Sequence, residues 1–520
     1  MSTTSTNLVS GGRHRYPLGV AQWTVVFVVG VLIVTLILAF NLLGRLEAGQ
    51  TLLGAAKPAM TTQRLAGDAA GVAFVSADVN MATPIITAQG GAASEVPGLI
   101  ALIASRTGAS QAAVRAELQK NFPHTTGLLE AIPLSSVSAE LPGLELFLAH
   151  TLKIAPAQLA TTLKVQFPAL YQAVSTLPVV SSGWQNVPGV SSLTRFDGTP
   201  VRTVPQLRDY LQKDLVPALR AQHGNFESFA WSTLNWIPLL LLVIGGVVAL
   251  FAAVMVVVSF RGISRTAALG AAVLVPIVGV VAIGLEIGLK LNSRVDHGQT
   301  MLTALQPVFQ KDRVTADRAG INMVDAIIRM QQPIINSAGG ASAEVPKLVA
   351  LVSQKSGLSQ PAVRGLLKKD FPHTTALLQA LPLRSVSAEL PSLEAFLAVN
   401  LKLSPAHLLG VLKTSFPALY QTIVNAPTVT GGWDSIPGTA KLTNFAGAPV
   451  RSAPAFAAYM SGDVVPLLES QRANFQELAG QGNISWIGVA LFAIGIVATE
   501  FGLVMVWTAT YVKPRTYTVV

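Results

Sequence analysis

Four stretches of this chain are apolar almost without interruption: about 22–43 (QWTVVFVVGVLIVTLILAFNLL), 236–259, 267–291 and 486–511. At 1.5 Å per residue each exceeds the roughly 30 Å of a bilayer's hydrocarbon layer, so each predicts a transmembrane helix. Buried core helices are the competing reading. Four nearly uncharged runs of this length are rare in soluble folds, which favours membrane spans. The first run is too long for a signal-peptide core and no Ala-x-Ala site follows it, so it is expected to be an uncleaved anchor.

The two long segments between the runs, about 44–235 and 292–485, have a different pattern. Val114, Leu118 and Phe122 recur every four residues and make one apolar helical stripe. Ser110 and Ser359 stand where a helix N-cap is expected, and the Phe-Pro pairs close one helix and open the next. Residues 44–88 and 293–337 read as helices continuing the first and third spans. The Gly-, Ser- and Pro-rich stretches 180–202 and 429–451 read as loops or short hairpins, each re-entering a helix through Thr203-Val-Pro205 or Ser452-Ala-Pro454.

The string FPHTT occurs at 122–126 and again at 371–375, and it marks a duplication. At an offset of 249, residues 122–142 match 371–391 with 17 of 21 identical. Trp184, Pro188 and Gly189 return as Trp433, Pro437 and Gly438, and Trp236 returns as Trp486 after a one-residue insertion. Each copy is span, long segment, span, so the copies form a tandem parallel repeat rather than an inverted one. A shorter period of 45 places helical repeats near 97–141, 142–180, 346–390 and 391–429, with about three short helices in each. The fold expected is an all-α polytopic membrane protein with four transmembrane helices and two similar helical ectodomains standing side by side.

Composition agrees with lipid exposure. Hydrophobic residues make up 51%, charged residues 12%, and mean hydropathy is +0.52. There is no cysteine, which excludes disulfides, thiolate metal sites and cysteine nucleophiles. The net charge of +10 raises nucleic acid as a partner, but its distribution points to membrane orientation. Arg13 and Arg15, Arg261 and Arg265, and Lys513 and Arg515 lie in the three short segments 1–21, 260–266 and 512–520, which contain no acid. Short basic segments stay cytoplasmic. Both termini and the central link are therefore expected inside the plasma membrane, and 44–235 and 292–485 outside. The stretch GLSQPAVRGLLKKDFP at 357–372 has the look of a DNA-reading helix pair with Lys368 and Lys369 on phosphate. That topology keeps it from nucleic acid. High Ala, Val, Leu and Gly usage fits a bacterium with a GC-rich genome.

Chemical motifs are few. The seven histidines have no zinc-like spacing, and neither a phosphate loop nor a Gly-x-Ser-x-Gly elbow occurs. No cofactor is implied and the chain reads as non-enzymatic. The repeated acids Glu95/Glu344, Glu140/Glu389 and Asp214/Asp463 sit at expected helix ends, where capping is their simplest role. His124 and His373 read as helix corners whose following threonines cap free amides, or alternatively as paired ligand contacts. Trp184 and Trp433 are further candidate ectodomain contacts. Glu500 lies inside the fourth span, where a carboxylate is costly and should face the bundle interior. Glu286 sits at the outer end of the third span, one turn before Lys290, as an interfacial pair. Gly30/Gly279, Gly245/Gly495 and Gly284-x-x-x-Gly288 are expected at helix contacts. The order of spans and large outer loops resembles the core of the prominin family, in topology alone; FtsX-type permeases share a similar order without duplicated ectodomains.

Two functions are expected from this pattern. The first is a scaffold or accessory subunit of a cell-envelope complex, binding a protein partner or its own copies through the repeated outer helices. The alternative is a transport component that holds a lipid or other apolar ligand and uses Glu500.

Overall fold

The computed structural model describes residues 17–230, 236–261, 265–336, 339–479 and 486–511. Arg13, Arg15, Lys513 and Arg515 lie outside the described residues. Regular structure among the described residues is helical, with two isolated bridges, Thr194 to Pro200 and Thr443 to Pro449, inside the stretches read as loops or hairpins.

The first copy runs α1 (Pro17–Ala39), α2 (Leu42–Ala56), α3 (Thr62–Ile86), α4 (Ala92–Thr107), α5 (Gln111–Asn121), α6 (Pro123–Ala131), α7 (Leu134–Leu152), α8 (Pro156–Gln166), α9 (Pro168–Gly183), α10 (Val204–Tyr210), α11 (Val216–Ala221), α12 (His223–Phe229) and α13 (Trp236–Arg261). The second runs α14 (Arg265–Leu289), α15 (Leu291–Leu305), α16 (Lys311–Ile335), α17 (Ala341–Ser356), α18 (Gln360–Asp370), α19 (Pro372–Ala380), α20 (Leu383–Leu401), α21 (Pro405–Ser415), α22 (Pro417–Gly432), α23 (Ala453–Tyr459), α24 (Val465–Ala479) and α25 (Trp486–Tyr511). Ser110 and Ser359 cap α5 and α18 by accepting from Ala113 N and Ala362 N, and Thr203 opens α10 with a full capping box. Pro97, Pro142, Pro346 and Pro391 lie inside helices rather than opening them, because each helix starts several residues earlier.

Among the described residues five helices, not four, are long and apolar enough to cross a membrane: Gly19–Ala39, Thr62–Ile86, Leu242–Arg261, Thr266–Leu289 and Gly488–Tyr511. The additional one is α3. Its apolar window is 67% buried by protein, against 17–22% in the other four. It carries Arg64, Asp68 and Asp78, and its counterpart α16 carries seven charged residues from Lys311 to Arg329. That is the pattern of a core helix in a helical body.

The chain divides into two compact units, each assembled from both copies. One unit comprises residues 58–221 and 307–470. The two lobes expected side by side are instead interlocked. Helix α3 packs on α22 of the other copy, α16 packs on α9, and α6 crosses α19. At that crossing a Cβ on Gly127 would stand 3.0 Å from both Ala376 O and Ala380 N, so backbone meets backbone. Each 45-residue repeat contributes three helices, α4–α6 or α7–α9, and the stripe Val114, Leu118, Phe122 is buried. Trp184 and Trp433 are 0% exposed. They are core residues, and the expectation that they contact a partner is corrected: an indole buried within its own unit offers no surface.

The other unit comprises residues 1–57, 222–306 and 471–520. Each copy pairs its own two long apolar helices, α1 with α13 and α14 with α25. The apolar helices α1 and α14 do not continue straight into the next helices. Asn41 (φ 46°) and Lys290 (φ 49°) adopt left-handed backbone between α1 and α2 and between α14 and α15. The helices that follow cross between copies. Arg45 on α2 donates to the Leu478 carbonyl at 2.6 Å, and His297 on α15 meets Asn225 of α12 at 2.8 Å.

Candidate functional site

The four long apolar helices make the candidate site, and small residues set their spacing. Gly279 of α14 lies so close to α25 that a Cβ would stand 2.6 Å from Thr499 N and 2.7 Å from Gly495 O. Gly30 meets Ala249, and Gly245 meets Ile33, in the matching pair. Gly284 and Gly288, however, have open space where a side chain would go: among the described residues nothing lies within 4 Å of a Cβ built at either. Gly279→Val is therefore expected to destabilise the purified protein by about 2–3 kcal/mol through overpacking, while Gly288→Val leaves the thermal unfolding midpoint in detergent unchanged.

Packing against α14 uses the face of α25 carrying Gly495, Thr499 and Gly502. Residue 500 falls about 100° away. Glu500 is accordingly exposed, in one stripe with Val497, Val504 and Trp507, near the middle of a 26-residue helix. The expectation that it faces the bundle interior is corrected: glycine contacts take the inward face, and the carboxylate is left on the outside. Its first-copy counterpart, Leu250, is 69% exposed on α13. Glu286 is half-buried. No ion pair joins it to Lys290 among the described residues, because the left-handed backbone at Lys290 breaks the helical register that the pair needs.

The two helix pairs meet through Trp23, Val26, Ala252, Met255, Ala271, Ala272 and Met505, and Gln22 donates to Thr508 at 2.9 Å beside them. Beyond this packed end an open cleft of about 320 Å³ lies between the pairs. All four helices line it, among them Val29, Ile33, Val248, Phe251, Val278 and Ala498, and every lining residue is apolar. Glu500 is not in its wall. Val497, on the stripe of Glu500 and one turn before it, does line the cleft, so the carboxylate lies beside the apolar space and not within its wall.

The FPHTT junctions sit in the interlocked unit and are helix starts, as expected, but capped from the other copy. Glu389 accepts from His124 N at 3.2 Å and from Thr125 N and Thr125 Oγ1, both at 2.8 Å. Glu140 does the same for His373 N, Thr374 N and Thr374 Oγ1 at 3.0, 2.8 and 2.7 Å. Glu95 caps Ala418 and Leu419, and Glu344 caps Ala169 and Leu170. The threonines thus donate to the carboxylates instead of accepting from amides. His124 Nδ1 lies 3.1 Å from the Gln379 carbonyl, and His373 Nδ1 lies 3.1 Å from that of Glu130. Histidine, hydroxyl and carboxylate come together here, yet Thr125 is 5% exposed and bonds the carboxylate directly, with no imidazole between them. The arrangement is a cap.

Asp214 and Asp463 do not cap helices. Each lies in a π-helical turn and holds a loop amide, Phe196 N or Phe445 N; Asp214 also takes Arg195 in a two-pronged pair at 2.9 and 3.0 Å.

Sequence reasoning passed over three buried acids. Burial pushes the Asp317 carboxyl up to about 7 against the pull of Tyr210 and Arg313. Asp68 is raised to about 7 by burial against Tyr459 and Arg64, and Asp78 to about 7 by burial against Gln331. Arg64/Asp68 and Arg313/Asp317 repeat at the same offset of 249 with the spacing of one helical turn, a signal open to inspection. Asp78 matches Ile327 and leaves no such signal. No group of three or more His, Asp or Glu among the described residues could hold a metal. Compared with known proteins, the chain matches no family model, no curated protein and no solved structure.

Proposed function

We propose that the protein is a non-enzymatic integral membrane subunit that docks a partner's transmembrane helix on α25. The four spans α1, α13, α14 and α25 cross the plasma membrane, both termini and the 260–266 link are cytoplasmic, and residues 44–235 and 292–485 are extracytoplasmic. The basic, acid-free short segments support this orientation. One observation carries the docking role: Glu500 lies in the middle of an apolar, outward-facing stripe with no hydrogen-bond or ion-pair partner among the described residues. A carboxylate at such depth costs about 2.5–3.5 kcal/mol on insertion scales, which a donor on a neighbouring span offsets. The partner is a span bearing Lys, Arg or a hydroxyl or amide donor at that depth.

A photo-crosslinking amino acid at Val504, on the same stripe, tests this in native membranes. One defined protein adduct is expected, lost in Glu500→Leu, which installs the residue found in the first copy, and partly kept in Glu500→Gln. An adduct of equal yield in Glu500→Leu, or adducts to lipid alone, removes the proposal.

A further inference from the structure

We infer that the cleft between the α1/α13 and α14/α25 pairs holds one acyl chain of a membrane phospholipid as a resident ligand. The inference rests on the membrane placement proposed above but not on the docking role of Glu500. Three features identify the occupant.

The first is chemistry. Valine, isoleucine, leucine, phenylalanine and alanine side chains make the whole wall, so nothing in it can satisfy a polar group. The second is size. From Val25 to Ile33 the cleft follows about 12 Å of the α1 axis. Its volume of about 320 Å³ sits at the lower end of ligand-pocket volumes, the scale of one small apolar ligand. The third is access. The cluster around Trp23, Ala252, Ala272 and Met505 packs the helices together beside the cleft, while Val25, Val247, Leu274 and Val497 of its wall are 46–59% exposed, so the space is a slot open to the surrounding lipid. A void there forfeits dispersion contacts along every wall, and a hydrocarbon chain restores them. In a bilayer the acyl chain is also the solvent at that depth, so the slot fills without any polar group being desolvated.

The test uses the full chain in nanodiscs containing phosphatidylglycerol with a photoactivatable group midway along one acyl chain. A parallel arm uses the matching free fatty acid. Adducts are expected on the slot residues Val248, Val278 and Ala498. Ala498→Phe and, independently on another helix, Val278→Phe should lower slot labelling at least tenfold, while labelling at the outward-facing Leu250 stays unchanged. Native mass spectrometry should find one phospholipid retained by the wild type and none by the variants. A folded variant is recognised by an unchanged thermal midpoint, and either substitution alone suffices. Labelling of the slot that matches that of Leu250, slot labelling unaltered by both phenylalanines, or occupancy by the free acid but not the phospholipid overturns the inference. A Val504 adduct of equal yield in Glu500→Leu, which removes the docking role, leaves it standing.

Discussion

Replacing Glu140 and Glu389 together by alanine is expected to lower the unfolding free energy of the protein by about 4 kcal/mol. Each carboxylate accepts two backbone amides at the first turn of a helix and one threonine hydroxyl, all belonging to the other copy. Charge-assisted bonds of this kind are worth about 1.5–3 kcal/mol, and N-cap losses typically cost about 1. Both glutamates are half-buried, which places each site near 2 kcal/mol rather than at the sum of its bonds. Helix dipoles add in the same direction, since the negative charge faces the N-termini of α6 and α19. Denaturant unfolding in detergent, followed by circular dichroism, measures the effect. Glutamine at both positions keeps an acceptor and should recover about half of the loss. A double alanine variant within 0.5 kcal/mol of wild type contradicts the trans-capping account. Because the caps run between copies, the same variant should also make the 58–221 and 307–470 segments more open to limited proteolysis.

That pairing shows where sequence reasoning reached its end. The helices, their caps at Ser110 and Ser359, the Phe-Pro junctions and the offset of 249 were all legible, because each depends on residues close together in the chain or alike between copies. Capping by Glu95, Glu140, Glu344 and Glu389 was legible as chemistry. Which helix each one caps was not. A repeat states which segments are alike; it is silent about whether a segment packs on its own copy or on the other, since both choices present the same apolar stripe. Trp184 and Trp433 follow from this ambiguity. In a lobe standing alone they have the look of contacts, and in an interlocked body they are core. Helix α3 has the length and hydropathy of a span, and its burial together with the charges it shares with α16 distinguishes it. The outward placement of Glu500 came from a register argument that the sequence contained but did not rank: Gly495 and Gly502 share one face, and a residue 100° from Thr499 cannot share it.

Lowering the pH from 7.5 to 5 is expected to stabilise the protein, the reverse of ordinary acid destabilisation. Asp68, Asp78 and Asp317 are held protonated up to about 7 by burial, whereas an unfolded aspartate ionises near 3.9. Between these values the native state binds more protons than the unfolded chain. Stability contributed by the buried neutral carboxyls is fully present below about pH 4, is lost as pH rises towards 7, and levels off above it. Each carboxyl contributes at most about 1.4 kcal/mol per pH unit in that window. Asp78 is the cleanest probe, because it has no cationic neighbour of the kind Arg64 and Arg313 provide for the other two. Asp78→Asn is neutral at every pH, so it should raise the unfolding midpoint at pH 7.5 and reduce the slope between pH 5 and 7 by about a third. All other titrating groups are identical in the two proteins and cancel in the difference. Midpoints that do not rise on acidification, or a slope that Asp78→Asn leaves intact, would show that these carboxyls are already ionised in the native state. The interlocked core would then have to carry buried negative charge with too few donors, since one oxygen of each of the three aspartates lacks a hydrogen-bond partner.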